Sequence, residues 1–573
     1  MQYVGRLLSV FVVLFSALAS ADERPFDLLI TNAHVVDGSG SPWYQADVAV
    51  RGQTIAAIGH FPRAKARQRI DAHGRIVAPG FIDMLGQSEF TILVDPRLPS
   101  KIYQGITTEI TGEGGSAAPL AGVAADDLRR DLEHYRLTPD WKDFSGYFAR
   151  LERQGMGINL GSYVGATTLR KIVIGDDDRP ASPEELVRMR ELVHEAMLQG
   201  ALGVSSSLEY APAPYASTEE LIALAQEASK SGGIYATHMR SEGDGIDAAL
   251  SETFRIAREA QVPVEIWHLK VGGKANWGRM PAVVARIDAA RAEGLDVAAD
   301  TYAYTAWFNE MSAFIPPWAH DGGNAKLIER LKDPVTRARI KADLNQRSAQ
   351  WDNEWQEVAG PEGILVGVVH NPELKALQGK TIKEVADMRH VDPMDALFDL
   401  LIADDAAAEC AVFGMDEADV ALALRQPWTS INNDSSGAST DGLLGSFHPH
   451  PRAFGTFPRI LRKYVREEHQ LSLEDAIRKF TALPASRLRL NDRGLVKTGL
   501  AADLVIFDPA TVTDLATYAQ PNQLSKGMDW VIVNGVPVIA DGSMTGAKPG
   551  HVLRGPGYIA KVGHHAAFPK EPQ

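Results

Sequence analysis

One cysteine in 573 residues rules out an internal disulfide, so nothing covalent staples this chain. That residue, Cys410, lies in a mostly apolar stretch, residues 406–413, which suits a buried, inert thiol better than a nucleophile. Positive charge is scarce too: 58 Lys and Arg stand against 73 Asp and Glu, a formal net charge of −15. With no basic stripe anywhere, nucleic acid is excluded as a partner. Beyond the N-terminal segment no apolar run approaches the ~20 residues that a bilayer span needs, so no membrane span is expected in the mature chain. No Gly-rich phosphate loop follows the first strand of the central region, which argues against a doubly wound nucleotide-binding sheet.

What is present begins with a separate unit at residues 1–21. Arg6 supplies a charged start, residues 7–18 an apolar stretch, and Ala19-Ser20-Ala21 a small-residue cleavage site. This reads as a signal peptide, with Asp22 as the mature start and export to the periplasm or the medium. The stretch is too short for an anchor. The whole chain is 45% hydrophobic, and the remainder is long enough to bury a large core.

Residues 22–78 alternate short apolar runs with turns, as in 26–31, 46–51 and 54–59, and predict small all-β structure. The same texture returns within residues 491–573, at 502–508 and 530–539, so the two segments are expected to complete one β-sandwich. Between them, residues 79–490 repeat a strand followed by a helix. Eight strand candidates start at Gly80, Thr107, Gly157, Leu202, Gly233, Val262, Leu295 and Trp428, and helices are expected at 183–199, 218–230 and 246–260. Eight βα repeats predict an α/β fold, a (β/α)₈ TIM-like barrel. The interval from Asp300 to Asp434 is far longer than one repeat needs, and it is read as an inserted lobe at about 316–390.

Barrel sites sit where strands end, so the terminal residues carry the chemistry. The fifth strand runs into Thr237-His238 and the sixth into Trp267-His268, one repeat apart, while the eighth ends in Asp434. Two neutral imidazoles and a carboxylate at one mouth suit a divalent ion, Zn²⁺ above all. His194, His390 and His469 sit in charged helical contexts and carry no such signal.

This pattern resembles the amidohydrolase superfamily and, within it, the D-aminoacylase (N-acyl-D-amino-acid deacylase) family. The matching stretches run in order from Pro79–Asp83 through Gln104–Thr108, Thr237–Arg240 and His268–Lys270 to His450–Arg452, Gly455–Arg459, Arg493-Gly494, Ala502–Val505 and Val533–Gly535. The resemblance implies hydrolysis of a non-peptide C–N bond in a small-molecule amide, with Asp434 moving the proton; Asp441 is its rival. It also suggests Lys270 and Tyr302 for a substrate carboxylate, with Tyr304 not separable from Tyr302 and Arg452 as a further clamp. Two departures stand out. The superfamily's His-x-His after strand one is Leu85-Gly86-Gln87 here, so one metal ion is expected rather than two. The family's cysteine ligand after strand two is missing, and Glu113 is expected to replace it, unless it pairs with Lys270 instead. The altered ligands leave open cleavage of a cyclic amide or dipeptide, or a barrel kept only for extracellular binding.

Overall fold

The computed structural model describes residues 25–560, Ala349 and Ala359 excepted. The expected signal peptide lies outside the described residues. Among these, no helix is long and apolar enough to cross a membrane.

Eight parallel strands ring a barrel in chain order: Phe81–Asp83, Ile106–Thr111, Asn159–Ser162, Gly203–Ser207, Ile234–His238, Val264–Ile266, Val297–Thr301 and Thr429–Ile431. Neighbours are in register, for example Ser207 opposite His238 and Asp300 opposite Ser430. The ring is bridged between its last and first strands by Asp434 N–H donating to Leu85 O at 2.8 Å and by a Gly86–Ser435 pairing. Each strand is buried from end to end, the condition that makes parallel barrel strands read as unbroken apolar or small runs. Ile82, Leu85, Ile110, Ile234 and Trp267 pack together inside.

The outer helices form where local signals agree. Pro183–Gln199 starts on a capping box, Ser182 with Glu185, and stops at left-handed Gly200, φ 112°. Its buried Met189, Leu192, Val193 and Ala196 follow helical spacing and face the barrel core. Helices Thr218–Lys230 and Ile246–Ala260 have the bounds read from sequence.

N- and C-terminal segments share one nine-stranded sheet, joined where Ile76–Pro79 pairs antiparallel with Leu504–Phe507. Leu28, Ile30, Val48, Val77, Ile506 and Ile532 give it a core of its own. Between the seventh and eighth barrel strands, an antiparallel sheet joins Trp307–Glu310 and Glu409–Val412, which flank the segment 316–390, to Ile364–Val366 within it. The helices of this lobe include the single turn Glu354–Glu357, which lies at the barrel mouth. Cys410 is fully buried in the lobe's central strand, and burial raises its thiol pKa.

Candidate active site

Strand ends place the ligand candidates around one point. Glu113 follows the second strand, His238 ends the fifth, and His268 stands two residues past the sixth. Glu113 Oε1 lies 3.2 Å from both His238 Nδ1 and His268 Nε2. Donor atoms around a tetrahedral Zn²⁺ with bonds of ~2.0–2.1 Å are about 3.3–3.4 Å apart, so the spacing fits a shared ion. Lys270 does not pair with Glu113; it forms an ion pair with Glu242.

The outward nitrogens of both imidazoles meet carboxylates that the sequence reading did not single out. Glu209 Oε2 is 2.8 Å from His238 Nε2, and Glu242 Oε1 is 3.0 Å from His268 Nδ1. Ring orientation by an outer carboxylate is the usual support of a metal-bound histidine. A signal was available: Glu209 lies two residues past the fourth strand, as Glu242 lies just past the fifth. Without an ion, burial would lower the His238 pKa, but Glu242, Glu113 and Glu209 outweigh that and raise it to about 10. Burial likewise opposes ionisation of Glu113, yet the two imidazoles bring it well below the carboxylate range. The cluster thus holds protons that a metal would displace.

Asp434 sits on the same cavity, at φ 45°, on a loop tied from both sides. Asn433 N–H donates to Asp83 Oδ1 at 2.7 Å, and Lys101 Nζ donates to Ser435 O at 2.7 Å and to Asp83 at 2.9 Å. Glu109 completes this buried knot, 3.2 Å from Lys101; Gly86 makes room for it, since a Cβ there would stand 1.8 Å from Glu109 Oε1. Arg452, 1% exposed, lies 2.8 Å from Asp434 Oδ2 and stacks on Tyr302 with its guanidinium 4.7 Å from the ring centre. Arg452 and Tyr302 therefore stand behind Asp434, and Lys270 is the predicted carboxylate-binding residue that lines the cavity itself. Tyr304 stacks instead with Arg459. Asp441 is exposed and bonded to Ser439, away from the cavity.

Gln87 and Leu85 occupy the missing His-x-His. Leu85 is buried in the barrel's apolar core. Gln87 Nε2 donates to Glu113 Oε2 at 2.8 Å and reaches Asp434 Oδ1 at 3.3 Å, so it bridges the two carboxylates.

The cavity holding these groups has a volume of about 400 Å³, enough for an amide-sized organic molecule. The sequence profile of the amidohydrolase family matches residues 68–539. A D-aminoacylase of Alcaligenes xylosoxydans xylosoxydans is 38% identical over 540 residues, covering 94% of this chain and 99% of that one. The crystal structure of N-acyl-D-glutamate deacylase from Bordetella bronchiseptica, complexed with zinc and a phosphonate mimic of the tetrahedral intermediate, is 32% identical. It superposes with a TM-score of 0.78, covering 93% of this chain and 100% of that one. A D-aminoacylase structure concerned with a binuclear metal centre, its one-metal activation and second-metal attenuation, is 37% identical with a TM-score of 0.76, over 92% of this chain and all of that one. With its barrel, its clustered ligands and its near full-length similarity to deacylases, this chain belongs to the amidohydrolase family as a metal-dependent hydrolase of non-peptide C–N bonds.

Proposed function

We propose that the protein deacylates N-acyl-D-amino acids with a single Zn²⁺ held by Glu113, His238 and His268, and that it works after export. The carrying observation is the carboxylate oxygen 3.2 Å from two imidazole nitrogens, beside an independently anchored Asp434. When bound, a divalent ion supplies Lewis-acid activation of water and of an amide carbonyl. Asp434 takes the proton from the attacking water and returns it to the departing amine nitrogen. Arg452 and Gln87 keep that carboxylate turned to the cavity, and Lys270, which a substrate carboxylate would share with Glu242, is the cation on the wall beside His268. Leu85 cannot ligate, and the Gln87 amide is engaged with Glu113 and Asp434, so the position after strand one offers a second ion no imidazole donors. An oxygen ligand in place of a thiolate also widens tolerance to Mn²⁺ and Co²⁺.

The test is metal analysis of reconstituted enzyme combined with a panel of N-acetyl-D- and N-acetyl-L-amino acids. We expect about one equivalent of metal, because the two three-donor groups among the described residues, Glu113–His238–His268 and Glu209–His238–Glu242, share His238, and release of the free D-amino acid. Two equivalents with activity following the second, or exclusive L-turnover, would overturn the reading. N-terminal sequencing of the exported form should begin at Asp22.

A further inference from the structure

The wall facing His238 is far more acidic than the proposed reaction needs. Twelve carboxylates line the cavity against two lysines, and both lysines are already paired: Lys270 with Glu242 and Lys171 with Asp127. Acidity alone names no ligand, but the hydrogen bonding of the lobe segment 352–357 does. Asp352 is satisfied, accepting from Ser241 Oγ and from the backbone N–H groups of Glu242 and Gly243 at 2.6–3.0 Å. It pins the lobe to the barrel loop. Glu354, 1% exposed, accepts from Trp307 Nε1 and Asn309 Nδ2 on Oε1 alone, while its Oε2 is buried with no partner. Glu357, 8% exposed, has neither a hydrogen bond nor an ion pair among the described residues. Both line the cavity.

An unpartnered buried carboxylate loses its hydration with nothing in return, and the chain stays folded by keeping the proton or finding a cation. Burial raises the pKa of Glu354 and Glu357 well above the usual range, with Glu209 and Asp352 adding to it. Glu209 is the same residue that bonds His238, so this wall begins one carboxylate away from the proposed metal ligand. Fixed donors on Glu354 Oε1 set the orientation of its carboxylate beside Glu357.

We propose that Glu354 and Glu357 receive a positively charged group of the substrate, an ammonium or guanidinium carried on the amide being cleaved. The inference rests on the deacylase reading and narrows it to cationic amides. The charge has two possible sources: the side chain of a basic amino acid, or the free α-ammonium of an aminoacyl group.

Calorimetric titration of metal-loaded Asp434→Asn protein, which removes turnover, separates the possibilities. The probes are N-acetyl-D-lysine, N-acetyl-D-arginine, glycyl-D-norleucine and neutral N-acetyl-D-norleucine. We expect a cationic probe to bind about ten- to a hundredfold tighter than N-acetyl-D-norleucine, the scale of one or two charge-assisted hydrogen bonds. Lysine and arginine derivatives leading would place the charge on the amino acid; glycyl-D-norleucine leading would place it on the acyl side. Adding Glu354→Gln and Glu357→Gln should collapse that ratio, whereas a purely structural role would weaken all probes alike. Binding of all three cationic probes no tighter than that of N-acetyl-D-norleucine, or a ratio surviving both substitutions, overturns the proposal. Cation-selective binding with no turnover of any amide by the native enzyme would instead count against the deacylase reading alone.

Discussion

Glu113 and Asp434 are both carboxylates beyond strand ends on one cavity, yet their neighbours assign them different work. Glu113 accepts from Gln87 and faces two imidazoles, the environment of a ligand. Asp434 faces Arg452 and Gln87 and touches neither histidine by hydrogen bond, the environment of a group that moves a proton. Substitutions should separate the two. Asp434→Asn keeps size and shape, so metal content should stay at wild-type level while kcat falls by roughly 10²–10⁴, the range for a lost general acid–base. Glu113→Ala should lose metal first, and excess metal should restore part of its activity, because water can fill a vacated ligand position. Metal analysis beside kcat decides; an active Asp434→Asn enzyme, or a Glu113→Ala protein with full metal, removes the assignment.

At the scale of elements, the informative feature is the loop after the eighth strand, Thr429–Ile431. Its positive-φ Asp434 is held because flanking backbone groups are tied to Asp83 and Lys101, which are themselves 0% exposed. Removing one partner of a buried ion pair leaves an uncompensated charge and costs about 3–5 kcal/mol. Lys101→Met should therefore lower unfolding free energy by about that amount in urea titrations. A loss under ~1 kcal/mol, the size of a surface pair, would show that the knot is not what secures the loop. The inserted lobe works in a related way: Asp352 docks it on the barrel loop, and the same short segment carries Glu354 and Glu357 to the mouth.

Across the whole molecule, buried ionisable groups pull stability in opposite directions with pH. Burial pushes Glu89 up to about 8 from an ordinary value of 4.5, and Glu109 and Glu113 add to it. Because the folded pKa is the higher one, its stabilising proton is fully present below about 4.5 and is lost as pH rises through 8. Burial lowers His320 and His370 to about 4 from 6.5, so their contribution is present above 6.5 and lost as pH falls through 4. Thermal melts should show Glu89→Gln gaining on the wild type at about pH 9 and keeping little of that gain near pH 5. An equal difference at both values would mean that Glu89 is not held protonated in the fold.

Much of this was legible along the chain. Six of the eight barrel strands lie within the runs read from apolar stretches and turn residues, Ile106–Thr111 and Val297–Thr301 overrun theirs by one residue each, and three outer helices have their read bounds, because capping and helical spacing are local properties. The histidines were visible as strand terminators one repeat apart. Arg452 was legible only as a cation of open role; that it backs Asp434 depends on a residue 18 positions away folding onto the eighth strand's loop. Glu209 and Glu242 gave a weaker signal, being acids in loops where acids are common.

The sequence by itself determined the barrel, through its periodicity, and the family, through its resemblance, and it singled out His238, His268 and Glu113 as the strand-end residues proposed to hold a metal. Only the tertiary structure decided partners. It alone showed that Lys270 belongs to Glu242 rather than Glu113, that Gln87 bridges Glu113 and Asp434, that Glu354 Oε2 is buried without a partner, and that Glu357 lines the cavity beside it. The physical reason is that charge pairing and desolvation depend on distances across the mouth, between segments far apart in the chain, and no local pattern encodes those distances.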